Sequence, residues 1–143
     1  MSRDQLPASA AGAAVGVFAG QHVLAEFEGV DPALLDDVAF LRVTLERSLD
    51  RAGATVCDVV SKRFVPQGVT VLALLSESHA SLHTYPEVGA VFLDVFTCGN
   101  RADPELATRL LAEALGAKDT HVTIIRRGRT APATVEAARE VVR

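Results

Sequence analysis

Only two cysteines, Cys57 and Cys98, occur in the 143 residues, too few for a disulfide framework. Nothing in that usage requires an oxidising compartment, and a reduced cytoplasmic thiol is the simpler expectation. The formal net charge is −4 with no basic cluster, so there is no electrostatic footprint for a nucleic acid. No apolar run is long enough to span a bilayer as a helix, and no membrane role is expected. The run Ala10–Ala19 follows Arg3, but Asp4 interrupts the basic region and no small-residue cleavage site stands out. Residues 1–19 therefore read as a flexible Ala/Gly tail. There is no linker rich in Gly, Ser or Pro, and no internal repeat of fixed period. With 49% apolar and 22% charged residues, the chain reads as one globular domain with a single core.

The pattern gives an alternating sequence of elements. Residues 21–28 (QHVLAEFE) form a first strand. Asp31-Pro32 starts a helix, because the carboxylate caps free amides and proline at the first position loses no hydrogen bond. Leu34, Val38, Leu41, Leu45 and Leu49 put one apolar stripe on that helix, which runs to about residue 52 and stops at Gly53. Strands follow at 55–64, 70–75, 80–84 and 90–97, with a turn at Pro66-Gln67-Gly68. The strand 70–75 is apolar on both faces, which suggests a central place in the sheet. Asp103-Pro104 repeats the helix start, with Leu106, Leu110 and Ala114 as its stripe and Gly116 as its stop. A last strand covers 121–126, and residues 130–143 form an extension that could be helical. The expected fold is α+β: a two-layer α/β sandwich of βαβββαβ order, an antiparallel-rich sheet with two helices on one face.

Residues 70–99 hold most of the reactive side chains. An apolar run ends in Ser76-Glu77-Ser78-His79; His83, Tyr85 and Glu87 follow; a second apolar run ends in Thr97-Cys98-Gly99. Apolar segments that carry a serine, histidines, carboxylates and a thiol to their ends match a reactive site built on strand ends. Taken by spacing alone, the same residues also fit an ordinary hairpin, with Ser78 capping a turn, Phe64 in a core and Glu87 on a surface. His79, His83 and Cys98 lack the close ligand pairs of zinc sites, so no metal is expected. No nucleophile-elbow sequence marks a serine hydrolase. Cys57, among valines, reads as buried filler.

The literal residues go further. LLSESHASLHTYPE followed by FTCG resembles the short, single-domain prokaryotic S-adenosylmethionine decarboxylases, which are pyruvoyl enzymes made as self-cleaving proenzymes. GQHVLAEFEGVDPALLDDV and RFVPQGV extend the similarity over roughly residues 20–129. The resemblance implies the sandwich above and dimers with active sites near the subunit interface. It implies cleavage between Glu77 and Ser78: Oγ of Ser78 attacks the Glu77 carbonyl, and loss of the Ser78 Cα proton expels the Glu77 carboxylate. The residual dehydroalanine hydrolyses to a pyruvoyl group, which heads an α chain, 78–143, beside a β chain, 1–77.

By the same resemblance His83 is the processing proton acceptor, and Thr70 stands where the family has a serine that supports the acyl shift. Cys98 is the catalytic proton donor; His79, next to Ser78, is either catalytic or structural. The pyruvoyl carbonyl forms a Schiff base with the substrate amine and takes up electrons as CO2 leaves, so neither pyridoxal phosphate nor a metal is required. Phe64, Tyr85 and Glu87 match substrate-binding positions, the ring of Phe64 against adenine and Glu87 at the ribose hydroxyls. The product would be the aminopropyl donor for spermidine synthesis. Tyr85 replaces a usual tryptophan, Thr70-Val71 replaces Ser-Gly, and Gln21 replaces a usual arginine. Those departures keep open decarboxylation of ornithine or arginine on the same scaffold; a non-processing regulatory partner is a separate alternative, against which Glu77-Ser78, His83 and Cys98 are all present.

Overall fold

A computed structural model describes residues 19–128. The expectations for residues 1–18 and 129–143 lie outside the described residues; Ala19 itself opens a strand. Six strands are present: β1 (Ala19–Glu28), β2 (Val56–Arg63), β3 (Val69–Leu75), β4 (Ser78–Tyr85), β5 (Ala90–Cys98) and β6 (Asp119–Gly128). The helices are α1 (Pro32–Leu35), α2 (Val38–Arg51) and α3 (Pro104–Leu115), with a 3-10 turn at Pro86–Val88. Four strands separate the helical segments, one more than the shorthand βαβββαβ counts. None of the helices among the described residues is long and apolar enough to cross a membrane.

The strands form one sheet in the order β2-β3-β4-β5-β1-β6, and every neighbouring pair is antiparallel. The chain builds β2 to β5 as consecutive neighbours, and β1 then lies between β5 and β6. Alternate residues face the helices: Val23, Ala25 and Phe27; Val71, Ala73 and Leu75; Val91, Leu93 and Val95; Val122 and Ile124. They pack with Leu41, Leu45 and Leu49 of α2 and with Ala107, Leu111 and Leu115 of α3 in one core. Each fully buried leucine contributes about 1.5–3 kcal/mol, so both helices are held chiefly by their apolar faces.

The capping signals operate as read. Asp31 accepts from the Ala33 amide at 2.9 Å, Asp103 accepts from the Glu105 and Leu106 amides at 3.1 Å, and Gly116 ends α3 in the left-handed region. Three details differ. The expected helix from 31 to 52 is broken, because Asp37 turns into a second cap and accepts from the Phe40 amide at 3.0 Å. The α3 face buried in the core is Ala107, Leu111 and Leu115; of the expected stripe Leu106, Leu110 and Ala114, only Leu106 packs against the core, from its edge. Both sets have helical spacing, and docking on the sheet selects between them. Cys57 is exposed, not buried: β2 is an edge strand, and a bulge between Val56 and Asp58 gives Cys57 no partner on β3.

Among the described residues, no helix lies over the second face of the sheet. It carries Leu24, Val60, Leu72, Leu74 and Phe92, all exposed. Strand β3 is thus interior to the sheet but covered on one side only, with Leu74 at 58% exposure.

Candidate active site

Strands β3 and β4 are joined by two residues, Ser76 and Glu77, with Leu75 paired to Ser78. Glu77 has φ of 64° and is the one non-glycine residue with positive φ among the described residues. That region brings Cβ against the backbone and costs a residue with a side chain about 1–2 kcal/mol. The strained residue therefore immediately precedes the Glu77–Ser78 bond. Ser78 is half-buried, and its hydroxyl donates to the Ser76 carbonyl at 3.3 Å. A cavity of about 210 Å³ opens beside the hairpin, lined among others by Ser76, Glu77, Ser78, Thr97, Cys98 and Arg101. The fold thus brings Cys98 and Ser78 to one cavity from the ends of β5 and β4. Gly20 pairs with Cys98, and a Cβ there would stand 2.6 Å from the Thr97 carbonyl oxygen. Only glycine leaves that strand pair undistorted beside the thiol.

The other candidates gather at the opposite end of the sheet. Thr70 pairs with His83, and Thr70 Oγ1 lies 2.9 Å from His83 Nδ1. His83 pairs in turn with Phe92, whose ring is 5.2 Å from that of Tyr85. Glu87 is exposed on the 3-10 turn. Phe64, also exposed, follows β2 in a loop closed by its amide, which donates to the Gly68 carbonyl at 2.7 Å. Asp36 pins that loop by accepting from the Gly68 amide at 3.0 Å and from Arg63 at 2.5 Å. These bonds hold the Asp36 carboxyl below its usual range. Gln21, half-buried, pairs with Thr97 at the Cys98 end. From Ser78 to His83 the chain runs along β4, about 17 Å at ~3.4 Å per residue. Within one chain, Ser78 and Cys98 line one cavity, Thr70 and His83 are in contact, and the two pairs stay apart.

A third group was missed from the sequence except for His79. On the open face beside Cys98, Asp94 Oδ2 lies 2.6 Å from His22 Nε2 and 3.1 Å from His79 Nε2, while Ser81 Oγ donates to Oδ1. The Phe96 ring lies 5.3 Å from that of His22 and 5.8 Å from that of His79. Arg127 stands over Phe96 at 5.0 Å and places Nη1 3.3 Å from His22 Nδ1. Burial pushes the Asp94 carboxyl up, but the bonds from Ser81, His22 and His79 outweigh it and hold it below its ordinary value of 3.8. A signal was present: Asp94 is the one charge in the apolar run 88–96, and a charge on a sheet strand needs partners. His22, His79 and Asp94 are also the donor set a divalent ion could use, with ligand atoms within 4.8 Å of one another.

A family model described as S-adenosylmethionine decarboxylase matches residues 21–128. The chain belongs to the S-adenosylmethionine decarboxylase family. An S-adenosylmethionine decarboxylase proenzyme of Prochlorococcus marinus (strain MIT 9313) is 52% identical over 100 residues, 70% of this chain and 80% of that protein. A proenzyme of the same name from Parasynechococcus marenigrum (strain WH8102) is 46% identical over 123 residues, 86% of this chain and 95% of that one. The crystal structure of the adenosylmethionine decarboxylase from Aquifex aeolicus superposes with a TM-score of 0.69 at 33% identity, covering 73% of this chain and 87% of that one. The Trypanosoma brucei AdoMetDC-delta26 monomer shares the fold, with a TM-score of 0.53 at 12% identity over 73% of this chain and 45% of that one.

Proposed function

We propose that the chain is a self-processing decarboxylase of S-adenosylmethionine, acting in the cytoplasm to supply the aminopropyl donor for spermidine synthesis. The observation that carries this reading is the hairpin in which a strained Glu77 precedes Ser78, with Cys98 lining the same cavity. Attack of Ser78 Oγ on the Glu77 carbonyl breaks the amide C–N bond and forms an ester. Removal of the Ser78 Cα proton then expels the Glu77 carboxylate, and water converts the residual dehydroalanine to a pyruvoyl group with loss of ammonia. The residues present fit such a group: Ser78 is partly open to the cavity, and Cys98 stands beside it as the proton donor. When formed, the group supplies an electrophilic carbonyl that takes the substrate amine and accepts electrons as CO2 departs.

The proposal includes a homodimer. His83, with Thr70 beside it on β3, lies about 17 Å along β4 from Ser78, too far to act on it within one chain. The open face of the sheet carries Leu24, Leu72, Leu74 and Phe92, an apolar surface of the kind that marks an interface. A two-fold pairing through these faces would set His83 of one subunit against Ser78 of the other. Phe64, Tyr85 and Glu87 would then reach the substrate from the second subunit. Co-expression tests the arrangement: His83→Ala chains should cleave when paired with Ser78→Ala chains, and neither should cleave alone.

The activity is tested by CO2 release from S-adenosylmethionine, ornithine and arginine offered side by side. Release from S-adenosylmethionine alone is expected, with Cys98→Ala cleaved yet slow to turn over. Release from a basic amino acid would keep Ser78, His83 and Cys98 in place and overturn the nucleoside roles of Phe64, Tyr85 and Glu87. An uncleaved single band on a denaturing gel would favour the regulatory-partner reading.

A further inference from the structure

We infer that Asp94 is the hub of a side-chain clamp that positions residue 79, and through it the reactive group at residue 78. The inference rests on Ser78 being the pyruvoyl precursor. The amide nitrogen of His79 carries whatever residue 78 becomes. Once the Glu77–Ser78 bond is cut, the start of β4 loses its covalent turn to β3 and keeps only its ladder pairing, and residue 79 is the first whose side chain is bonded to another strand. Its Nε2 is bonded to Asp94 in the uncleaved chain, so the anchor is in place before the cut.

The clamp is built from four strands. Asp94 belongs to β5, His79 and Ser81 to β4, His22 to β1 and Arg127 to β6. A carboxylate only accepts hydrogen bonds, and three donors converge on this one. A guanidinium only donates, so His22 Nδ1 accepts from Arg127, and the His22 proton sits on Nε2, directed at Asp94. Phe96 packs against both imidazoles and under Arg127. Asp94 and His22 are largely shielded, at 21% and 18% side-chain exposure, whereas His79 is at 49%. The shielded members thus hold the exposed one. Phe96 precedes Cys98 by one same-face step of the strand, about 7 Å, which sets the clamp beside the proposed proton donor.

A metal centre at the same residues would need the His22 Nε2 lone pair, which turns the Nδ1 proton against the Arg127 donor. It would also place a second cation beside the guanidinium. The hydrogen-bonded clamp satisfies every one of these groups.

Self-processed full-length protein provides the test. Asp94→Asn keeps the shape but loses the charge and one acceptor oxygen, so both histidines are left on a neutral oxygen with weaker bonds and Ser81 keeps a bond only by turning to accept from the new amide. The expected result is normal cleavage into residues 1–77 and 78–143, KM within about threefold of the parent, and kcat lower by on the order of 10²-fold, the effect of misplacing a reacting group by ~1 Å. His79→Gln, which returns an N–H donor close to the position of Nε2, should retain far more kcat than His79→Leu. Ser81→Ala removes one bond only and carries the test if Asp94→Asn does not fold; its kcat should fall by about tenfold or less while KM holds. Parent-level kcat in Asp94→Asn and Ser81→Ala overturns the inference. So does equal behaviour of Gln and Leu at position 79, or a co-purifying divalent ion whose removal abolishes turnover. Failure of the parent chain to cleave at Ser78 would instead overturn the reading on which the inference rests.

Discussion

Glu77→Gly separates strain from chemistry at the proposed scissile bond. Glu77 sits at φ of 64°, where a residue with Cβ pays about 1–2 kcal/mol and glycine is at ease. Glycine also costs about 0.5–1 kcal/mol more backbone entropy on folding. In an uncleavable Ser78→Ala background, the double variant should therefore gain a net ~0.5–1 kcal/mol, a rise in Tm of about 2–4 °C for a chain of this size. Cleavage proceeds from the folded chain, so the unfolded-state term drops out. If the strain is released as the Glu77 carbonyl leaves the turn, Glu77→Gly in the cleavable chain should slow processing by about 5- to 30-fold, the rate equivalent of 1–2 kcal/mol. Purified precursor followed by denaturing electrophoresis gives that rate, and thermal unfolding gives the stability. A variant that gains stability yet cleaves at the parent rate would refute the claim that the left-handed residue drives processing.

Three further outcomes follow from the geometry. Thr70→Val removes the 2.9 Å contact with His83 Nδ1; it should cost about 1 kcal/mol in denaturant titration and slow cleavage by ~10-fold or more, with Thr70→Ser close to the parent on the same gel. Thr84→Val strands two buried groups, since Thr84 Oγ1 donates to the Leu35 carbonyl at 2.6 Å and accepts from the Val69 amide at 2.9 Å; a loss of about 1–3 kcal/mol in urea unfolding is expected. Asp94 contributes pH-dependent stability: its folded pKa lies below 3.8, so the contribution is complete above that value and disappears as the pH falls through the folded pKa. Parent and Asp94→Asn should accordingly differ in denaturant midpoint at pH 5 and converge toward pH 2.

Local rules made much of the fold legible. An aspartate before a proline marked the starts of α1 and α3, and Gly116 marked the stop of α3, because capping depends on a few adjacent residues. The Ser-Glu-Ser-His block falls at the β3–β4 hairpin, and its reading as a cleavage point came from the family resemblance and not from a local rule. Reading failed where two local solutions were nearly equal. Leu106 and Leu110 offered as regular a stripe as Leu111 and Leu115, and Asp37 served as a second cap inside an unbroken periodicity. Cys57 looked buried among valines because a bulge on an edge strand leaves no mark in hydrophobic pattern.

The site divides along the same line. The sequence by itself placed His83 on a strand, Ser78 in the connection just before it and Cys98 just past the end of the next strand, since these are matters of spacing within a hairpin; the structure draws Ser78 and Cys98 into the strands themselves. It also determined the alternation that puts His79, Ser81 and His83 on one face of β4. Only the tertiary structure decided that β1 lies between β5 and β6, which sets Gly20 opposite Cys98 and His22 against Asp94 across 72 positions of chain. Side-chain alternation is a property of each strand and repeats every two residues, whereas the choice of neighbour depends on how the whole sheet closes over its helices.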